Sequence, residues 1–264
     1  MSTNENKDKK AEVTALQAIS AEDRKDWISL AFVQAGICVC VPAFLLGALL
    51  AEAMPIWPAI ISGSLGYLIV VVGMVATGMI GCDLGLASCT CCQAGFGKSG
   101  ARFIVSTIFA VNMIGWFGIQ NGVCGEAFSN AMLAMTGWDI PVVVSNTIWG
   151  IIMLLTAVYG VHALEKLDKI SIPLLMIIMC YGTFLAFKVY GTGNLNDEGT
   201  VQSMSFMSGV ALSFNFTAVG TITGPDYTRF QKSRKDTVKS VFYGVFPMGV
   251  ITLIMGIVLT KLDG

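Results

Sequence analysis

Charged residues are scarce in this chain of 264 residues. They make up 12% of it, and hydrophobic residues make up 55%, whereas a soluble domain averages about 25% charged residues. This composition excludes a soluble globular domain and indicates an integral membrane protein built from helices. The formal net charge of −1 indicates neither an acidic nor a basic partner, and nucleic-acid binding has no support. The first 26 residues contain no apolar stretch of the kind found in a cleavable signal peptide, so the first membrane helix is expected to direct its own insertion.

Catalytic and metal-binding combinations are also lacking. The only histidine is His162, and no set of nucleophile, base and metal ligands supports an enzyme. Four of the eight cysteines lie close together, but the spacing of Cys82, Cys89, Cys91 and Cys92 fits no tetrahedral zinc pattern. The sequence therefore predicts a non-enzymatic membrane protein without a metal site or cofactor.

Long apolar runs dominate the rest of the chain. They predict a polar tail over residues 1–26 and a transmembrane domain over 27–264, because each run can cross a hydrocarbon core of about 30 Å as a helix. The seven predicted spans are 27–51, 58–81, 103–135, 140–162, 171–191, 204–224 and 238–260.

Lysine and arginine are distributed unevenly between the two ends of these spans. All but Lys188 and Lys261 fall in the first 26 residues or in the loops after the second, fourth and sixth spans. The positive-inside rule therefore places the N-terminus in the cytoplasm of a multi-pass protein of the cell membrane.

The third span contains polar residues that a buried helix does not need. Asn112, Trp116 and Gln120 stand four residues apart and would share one helix face. That face offers a flat stacking surface and two amides that both donate and accept, which suits a planar, uncharged, polar ring. The open alternative is that Trp116 packs between helices and that the amides bond to neighbouring helices.

Two spans are predicted to be broken. Pro42 in the segment from Gly36 removes a backbone hydrogen bond within the first span, and the sixth span is rich in β-branched, polar and glycine residues between Ser213 and Thr221. Transporters with inverted five-helix repeats interrupt the first helix of each repeat at the substrate and cation sites. The alternative is that proline and glycine merely kink these helices.

Three motifs together resemble the nucleobase:cation symporter-1 family, and its cytosine permease branch most closely. They are Gly115-Trp116-Phe117-Gly118 with Gln120, the run from Gly220 to Phe230, and Gly95-Phe96-Gly97. The resemblance implies a LeuT-like fold of two inverted five-helix repeats with helices 1 and 6 broken, followed by two further helices. It also implies import of a nucleobase such as cytosine, driven by Na+ or H+; a purine, allantoin or hydantoin-type ring is the alternative substrate.

The same resemblance assigns roles to single residues. Trp116 matches the family's stacking aromatic and Gln120 its polar partner. Phe216 matches the second aromatic, with Phe214 a close rival, and Asn215 is placed to bond the edge of the ring.

The resemblance also implies that the cation is bound by backbone carbonyls of the first helix, those of Gly36 and Val39. Family members have about twelve helices, whereas seven are predicted here, so the chain is expected to be a truncated form, and a non-transporting membrane protein remains an alternative. The predicted partners are the small-molecule nucleobase and the lipid bilayer, with no protein partner inferred.

Overall fold

A computed structural model describes residues 16–158, 160–192, 195 and 204–263 of the protein. The regular secondary-structure elements of the described residues are all helices, which confirms the predicted all-α class. The helices in chain order are α1 (Trp27–Cys38), α2 (Val41–Ala53), α3 (Ile56–Leu84), α4 (Ser88–Cys91), α5 (Gln93–Gly100), a short π-helix (Ala101–Val105), α6 (Ser106–Thr136), α7 (Val142–Val158), α8 (Gly160–Tyr190), α9 (Phe206–Thr217), α10 (Val219–Thr228) and α11 (Arg234–Asp263).

Five helical stretches of the described chain are long and apolar enough to cross a membrane. They are Ile56–Leu84, Gln93–Thr136, Leu167–Tyr190, Phe206–Thr228 and Arg234–Leu262. The bent pair α1 and α2 passes the same test when its two helices are counted as one span, and α7 is a shorter apolar helix. The chain is thus a helical membrane protein by the length and composition of its helices.

The helices fall into two compact units. One is built from Cys92–Leu164, and the other from Ala15–Cys91 together with Glu165–Gly264. In the first unit, α6 packs on α7. An edge-to-face contact joins Phe128 and Trp149, whose ring centroids are 5.5 Å apart, and the Ser129 hydroxyl donates to the carbonyl of Ile140.

The second unit is organised around α3 and α11. Helix α11 packs against α1, α2 and α3, and α3 also carries α9 and α10 on its surface. The core side chains Leu50, Tyr67 and Leu253 are fully buried there. Buried hydroxyls join span six to α3, because Ser213 donates to the carbonyl of Gly63 at 2.7 Å and Thr228 donates to that of Gly78 at 2.7 Å.

The loop predicted between spans four and five is helical. Helix α8 begins at Gly160 and so includes the charged segment 163–170 that was predicted to be a loop. No glycine or proline lies between residues 161 and 172, and its Glu, Lys, Leu and Ala residues are good helix formers, so charge alone does not end the helix. The side chain of His162, in the same stretch, lies outside the described residues.

The described end of the predicted tail packs on the helices. Residues 1–15 lie outside the described part. Beyond them the Ile19 N–H donates to the carbonyl of Gly85 at 2.9 Å, and the Lys25 N–H donates to that of Phe230 at 2.6 Å. Asp26 forms an exposed ion pair with Lys232 at 2.6 Å. These contacts tie residues 19–26 to the ends of α3 and α10.

Candidate functional site

The first span is broken where the sequence predicts it. Helix α1 ends at Cys38, Cys40 is extended (φ −147°, ψ 156°), and α2 starts at Val41. Pro42 is the second residue of α2, where its missing N–H costs no helical hydrogen bond. The two halves meet at 53°, so that the end of one helix and the start of another lie within a membrane span.

The predicted cation residues Gly36 and Val39 lie at this break. A helix leaves its last carbonyls without intrahelical partners. Two carbonyls at this end are occupied, since the Val39 N–H donates to Ala35 at 2.9 Å and the Cys40 thiol donates to Ile37 at 3.4 Å. Carbonyls at the end of a half-helix are the type of oxygen ligand that binds a coupling cation, Na+ or H+, in such transporters. A role for Gly36 and Val39 in cation binding stays a prediction.

The sixth span is interrupted at Ala218, more mildly than the first. Helix α9 ends at Thr217 and α10 begins at Val219. Ala218 keeps helical dihedral angles (φ −54°, ψ −33°), and its carbonyl accepts from the Thr221 N–H at 3.0 Å in a tighter turn. The predicted broken helices 1 and 6 are therefore both present, with a sharp bend in the first and a local change of hydrogen bonding in the sixth.

The predicted residues of span six lie in the last turn of α9. Phe216 is partly buried and packs against the core cluster that includes Cys38, the last residue of α1. Phe214 stands about 200° around the helix from Phe216 and is also partly buried, and Asn215 is exposed. Phe216 shares that cluster with other aromatics, Tyr67, Tyr227 and Phe246.

The predicted residues of span three lie in the other unit, along α6. Trp116 and Gln120 are partly buried, and Asn112 is exposed. Residues four apart differ by about 40° around a helix, so the indole and the Gln120 amide share one face as predicted. Asn112 continues that face by one turn.

Glycines along α6 could allow other backbone to approach closely. In this unit the close approach falls elsewhere, because a Cβ at Gly125 would overlap Asn146 of α7, and one at Gly150 would lie 3.1 Å from the Asn121 amide. Gly115, Gly118 and Gly122 receive no such neighbour from the described helices of this unit. The spacing of glycines in the sequence shows where a helix lacks side-chain bulk, but it does not show which of these positions another helix approaches.

Sequence reasoning missed two groups of polar side chains. Buried polar atoms of Asn121, Asn146 and Trp149 have no hydrogen-bond partner among the described residues. The sequence feature that could have indicated this group is the polar pair Ser145-Asn146 inside an apolar run. The carboxylate of Asp168 lies against Gly36, 3.1 Å from the position of a Cβ there. Asp168 falls in the predicted loop between spans four and five, so nothing in the sequence links it to the first break.

Residues 19–263 match the family described as permease for cytosine/purines, uracil, thiamine, allantoin. The chain is 27% identical over 237 residues to the cytosine permease of Escherichia coli (strain K12), covering 88% of this chain and 54% of that permease. It is 25% identical over 247 residues to the purine-uracil permease NCS1 of Arabidopsis thaliana, covering 83% and 41%. The chain thus spans about half the length of the curated relatives it matches.

A solved structure has a similar fold. It is Mhp1, a nucleobase-cation-symport-1 family transporter, in a closed conformation with bromovinylhydantoin bound. The TM-score is 0.76 at 18% identity, and the match covers 94% of this chain and 55% of Mhp1. At this identity the likeness concerns the fold, and it confirms the predicted LeuT-like arrangement.

Proposed function

Because this chain belongs to the family of permeases for cytosine and purines, uracil, thiamine and allantoin, we propose that it binds a nucleobase such as cytosine and acts in its import together with a cation, Na+ or H+. The family consists of permeases and not of enzymes. The observation that carries the substrate proposal is the shared face of Trp116 and Gln120 on a membrane helix of such a chain.

The indole of Trp116 supplies the stacking surface. Stacking of a base on one aromatic ring contributes about 1–3 kcal/mol, and that contribution is similar for cytosine, uracil and purines because every base has a π-face. Phe216, close to the interruption of span six, is proposed as a second aromatic on which a planar ring can stack. Stacking therefore sets the affinity for planar rings in general.

Selection among rings is assigned to the amides. The Gln120 side chain has one acceptor and two donors, so it can pair with a ring edge that shows both a carbonyl and an N–H. Asn112 is an exposed amide one turn away on the same helix and is proposed to contribute to this selection. Asn215 is an exposed amide next to Phe216 and is proposed to bond a ring edge. A site built to hydrogen-bond its substrate rejects analogues that lack the matching group more strongly than an apolar site does.

Cation coupling is assigned to the break in the first span. The carbonyls of Gly36 and Val39 stand at the C-terminal end of α1, where the helix dipole favours positive charge. A cation that bound two conformational states of a transporter equally well would not shift the equilibrium between them. The cation is therefore proposed to favour the state that takes up the ring.

Binding of labelled rings to the purified chain in lipid nanodiscs tests the substrate proposal. Cytosine, adenine, uracil, allantoin and hydantoin would be compared for wild type, Trp116→Ala and Trp116→Phe. Loss of stacking should weaken binding roughly 5- to 150-fold in Trp116→Ala, and Trp116→Phe should retain part of the affinity.

Trp138→Ala is the matched control, because Trp138 is 70% exposed and follows the turn at Gly137. It should bind as wild type does. Equal affinities for wild type and Trp116→Ala, or no binding of any of the five rings, would overturn the substrate proposal. The ring bound most tightly distinguishes a cytosine permease from an allantoin or hydantoin permease.

Uptake into cells without their own permeases separates transport from binding alone. The alternative is a membrane protein that binds a ring without moving it. Accumulation of labelled cytosine above its external concentration supports transport, and binding without accumulation supports the alternative.

Orientation in the cell membrane is a separate part of the proposal. The distribution of Lys and Arg supports a cytoplasmic N-terminus. Fluorescent-protein and alkaline-phosphatase fusions at the N-terminus and in the turn at Gly137 test it. Fluorescence at the first position and phosphatase activity at the second are expected, and the reverse pattern would refute the orientation.

A further inference from the structure

Asp168 of α8 lies against the break in the first span. A Cβ placed at Gly36, in the last turn of α1, would be 3.1 Å from the carboxyl carbon and from each carboxylate oxygen of Asp168. Around this contact, Ala35, Val39 and Ile172 form an apolar cluster. Asp168 is partly buried, so its carboxylate is held at the end of a half-helix within apolar surroundings.

The charge of Asp168 is not compensated by the described protein. No hydrogen bond or ion pair to its carboxylate occurs among the residues that the structure describes. The C-terminal end of α1 carries a partial negative charge from its unpaired carbonyls, so it repels an anion and attracts a cation. A carboxylate in this position is therefore destabilised unless a positive charge joins it.

The ionisable groups near Asp168 do not supply that charge. Tyr227 of α10 is close enough to interact electrostatically with both Asp168 and Cys38, and both of these neighbours are neutral or negative. The neighbouring cation in sequence, Lys169, leaves α8 about 100° around the helix from Asp168 and is itself exposed. Among the side chains that the structure describes, Tyr227 is therefore near both the Asp168 carboxylate and the Cys38 thiol, and neither it nor Cys38 carries a positive charge.

We propose that Asp168 is a ligand of a small monovalent cation bound at the break of span one, together with the carbonyls at the end of α1. Carboxylate and carbonyl oxygens are hard ligands, suited to Na+, and the same carboxylate can instead take up a proton. The inference rests on the proposed function, which needs a coupling cation. It adds the carboxylate of Asp168, from the fifth span, to the backbone carbonyls of Gly36 and Val39. The bound cation would neutralise this carboxylate, which the partial negative charge at the end of α1 otherwise repels.

Sodium binding to the purified full chain in nanodiscs tests the proposal without any substrate. Binding of radioactive Na+ would be measured for wild type, Asp168→Asn and Gly36→Ala, with Glu52→Gln as a control at an exposed carboxylate of α2. Loss of a charged ligand should weaken Na+ binding roughly 10- to 100-fold in Asp168→Asn. Gly36→Ala, which keeps the charge but crowds it, should weaken binding less, and Glu52→Gln should bind as wild type.

The proton alternative has its own signal. If wild type binds no Na+, infrared difference spectra between pH 5 and pH 9 should show a carboxyl band that is present in wild type and Glu52→Gln and missing in Asp168→Asn. Equal Na+ binding in wild type and Asp168→Asn would overturn the inference, as would the absence of both Na+ binding and an Asp168 carboxyl band. Failure of ring binding with an Asp168-dependent cation signal would sink the substrate proposal while leaving the cation site in place.

Discussion

Gly244 of α11 gives a sensitive test of how closely the broken first span packs. A Cβ at this position would lie 2.6 Å from the carbonyl oxygen of Ala31 and 3.1 Å from its Cα. Ordinary contacts of a Cβ lie at 3.4 Å or more, so Gly244→Ala must push α1 and α11 apart by most of an ångström. Because the obstacle is backbone, no side-chain rotation relieves it.

The expected cost is that of overpacking, about 1–3 kcal/mol. It opposes the intrinsic gain of about 1 kcal/mol for alanine over glycine within a helix. Gly182→Ala is the matched control, because Gly182 lies within α8 and nothing stands within 4 Å of its Cβ position in the described structure. The two variants should therefore change stability in opposite directions.

Thermal unfolding in one detergent, followed by loss of the monomer peak in size-exclusion chromatography, measures both variants. A lower midpoint for Gly244→Ala, with an equal or higher midpoint for Gly182→Ala, is expected. If both variants have the unfolding midpoint of wild type, α1 and α11 are not in backbone contact at Gly244 and Ala31.

Substitutions at three further positions test single hydrogen bonds by thermal unfolding. Ser205→Ala should destabilise the start of α9 by about 1 kcal/mol, because its hydroxyl accepts from the Ser208 N–H at 3.1 Å, and Ser205→Asp should restore the cap; equal midpoints for both would refute the cap. Ser213→Ala should cost about 1 kcal/mol, because a buried hydrogen bond to Gly63 is lost, and an unchanged midpoint would show that this bond is absent. Tyr67→Phe should leave stability unchanged or raise it, because the buried Tyr67 hydroxyl has no partner among the described residues, and a large loss would reveal an unseen partner.

The long apolar helices and the first break could be predicted from the sequence because they depend on local properties. An apolar run long enough to cross a bilayer marks a membrane helix, and Pro42 marks a break through its missing N–H. The shared face of Trp116 and Gln120 likewise follows from helical periodicity alone. Such features need no knowledge of what packs against them.

The missed features depend on tertiary contacts. The charges around Asp168 predict a loop at a membrane boundary, but the residues of this segment favour helix and the helix continues through them. The approach of Asp168 to Gly36 joins two helices far apart in the sequence, and no local pattern indicates it. The close approaches at Gly125 and Gly150 were missed for the same reason, since which glycine receives a neighbour is decided by packing.

The most direct test of the central claim is the fluorescence of Trp116 as the sole tryptophan. The other four, Trp27, Trp57, Trp138 and Trp149, would be replaced by Phe, and labelled cytosine or the tightest-binding ring would be titrated while its binding is counted in parallel. A ring stacked on the indole should quench the Trp116 emission in a saturable way, with the same dissociation constant as the counted binding. Saturable binding of the ring with no change in the Trp116 emission would contradict the account.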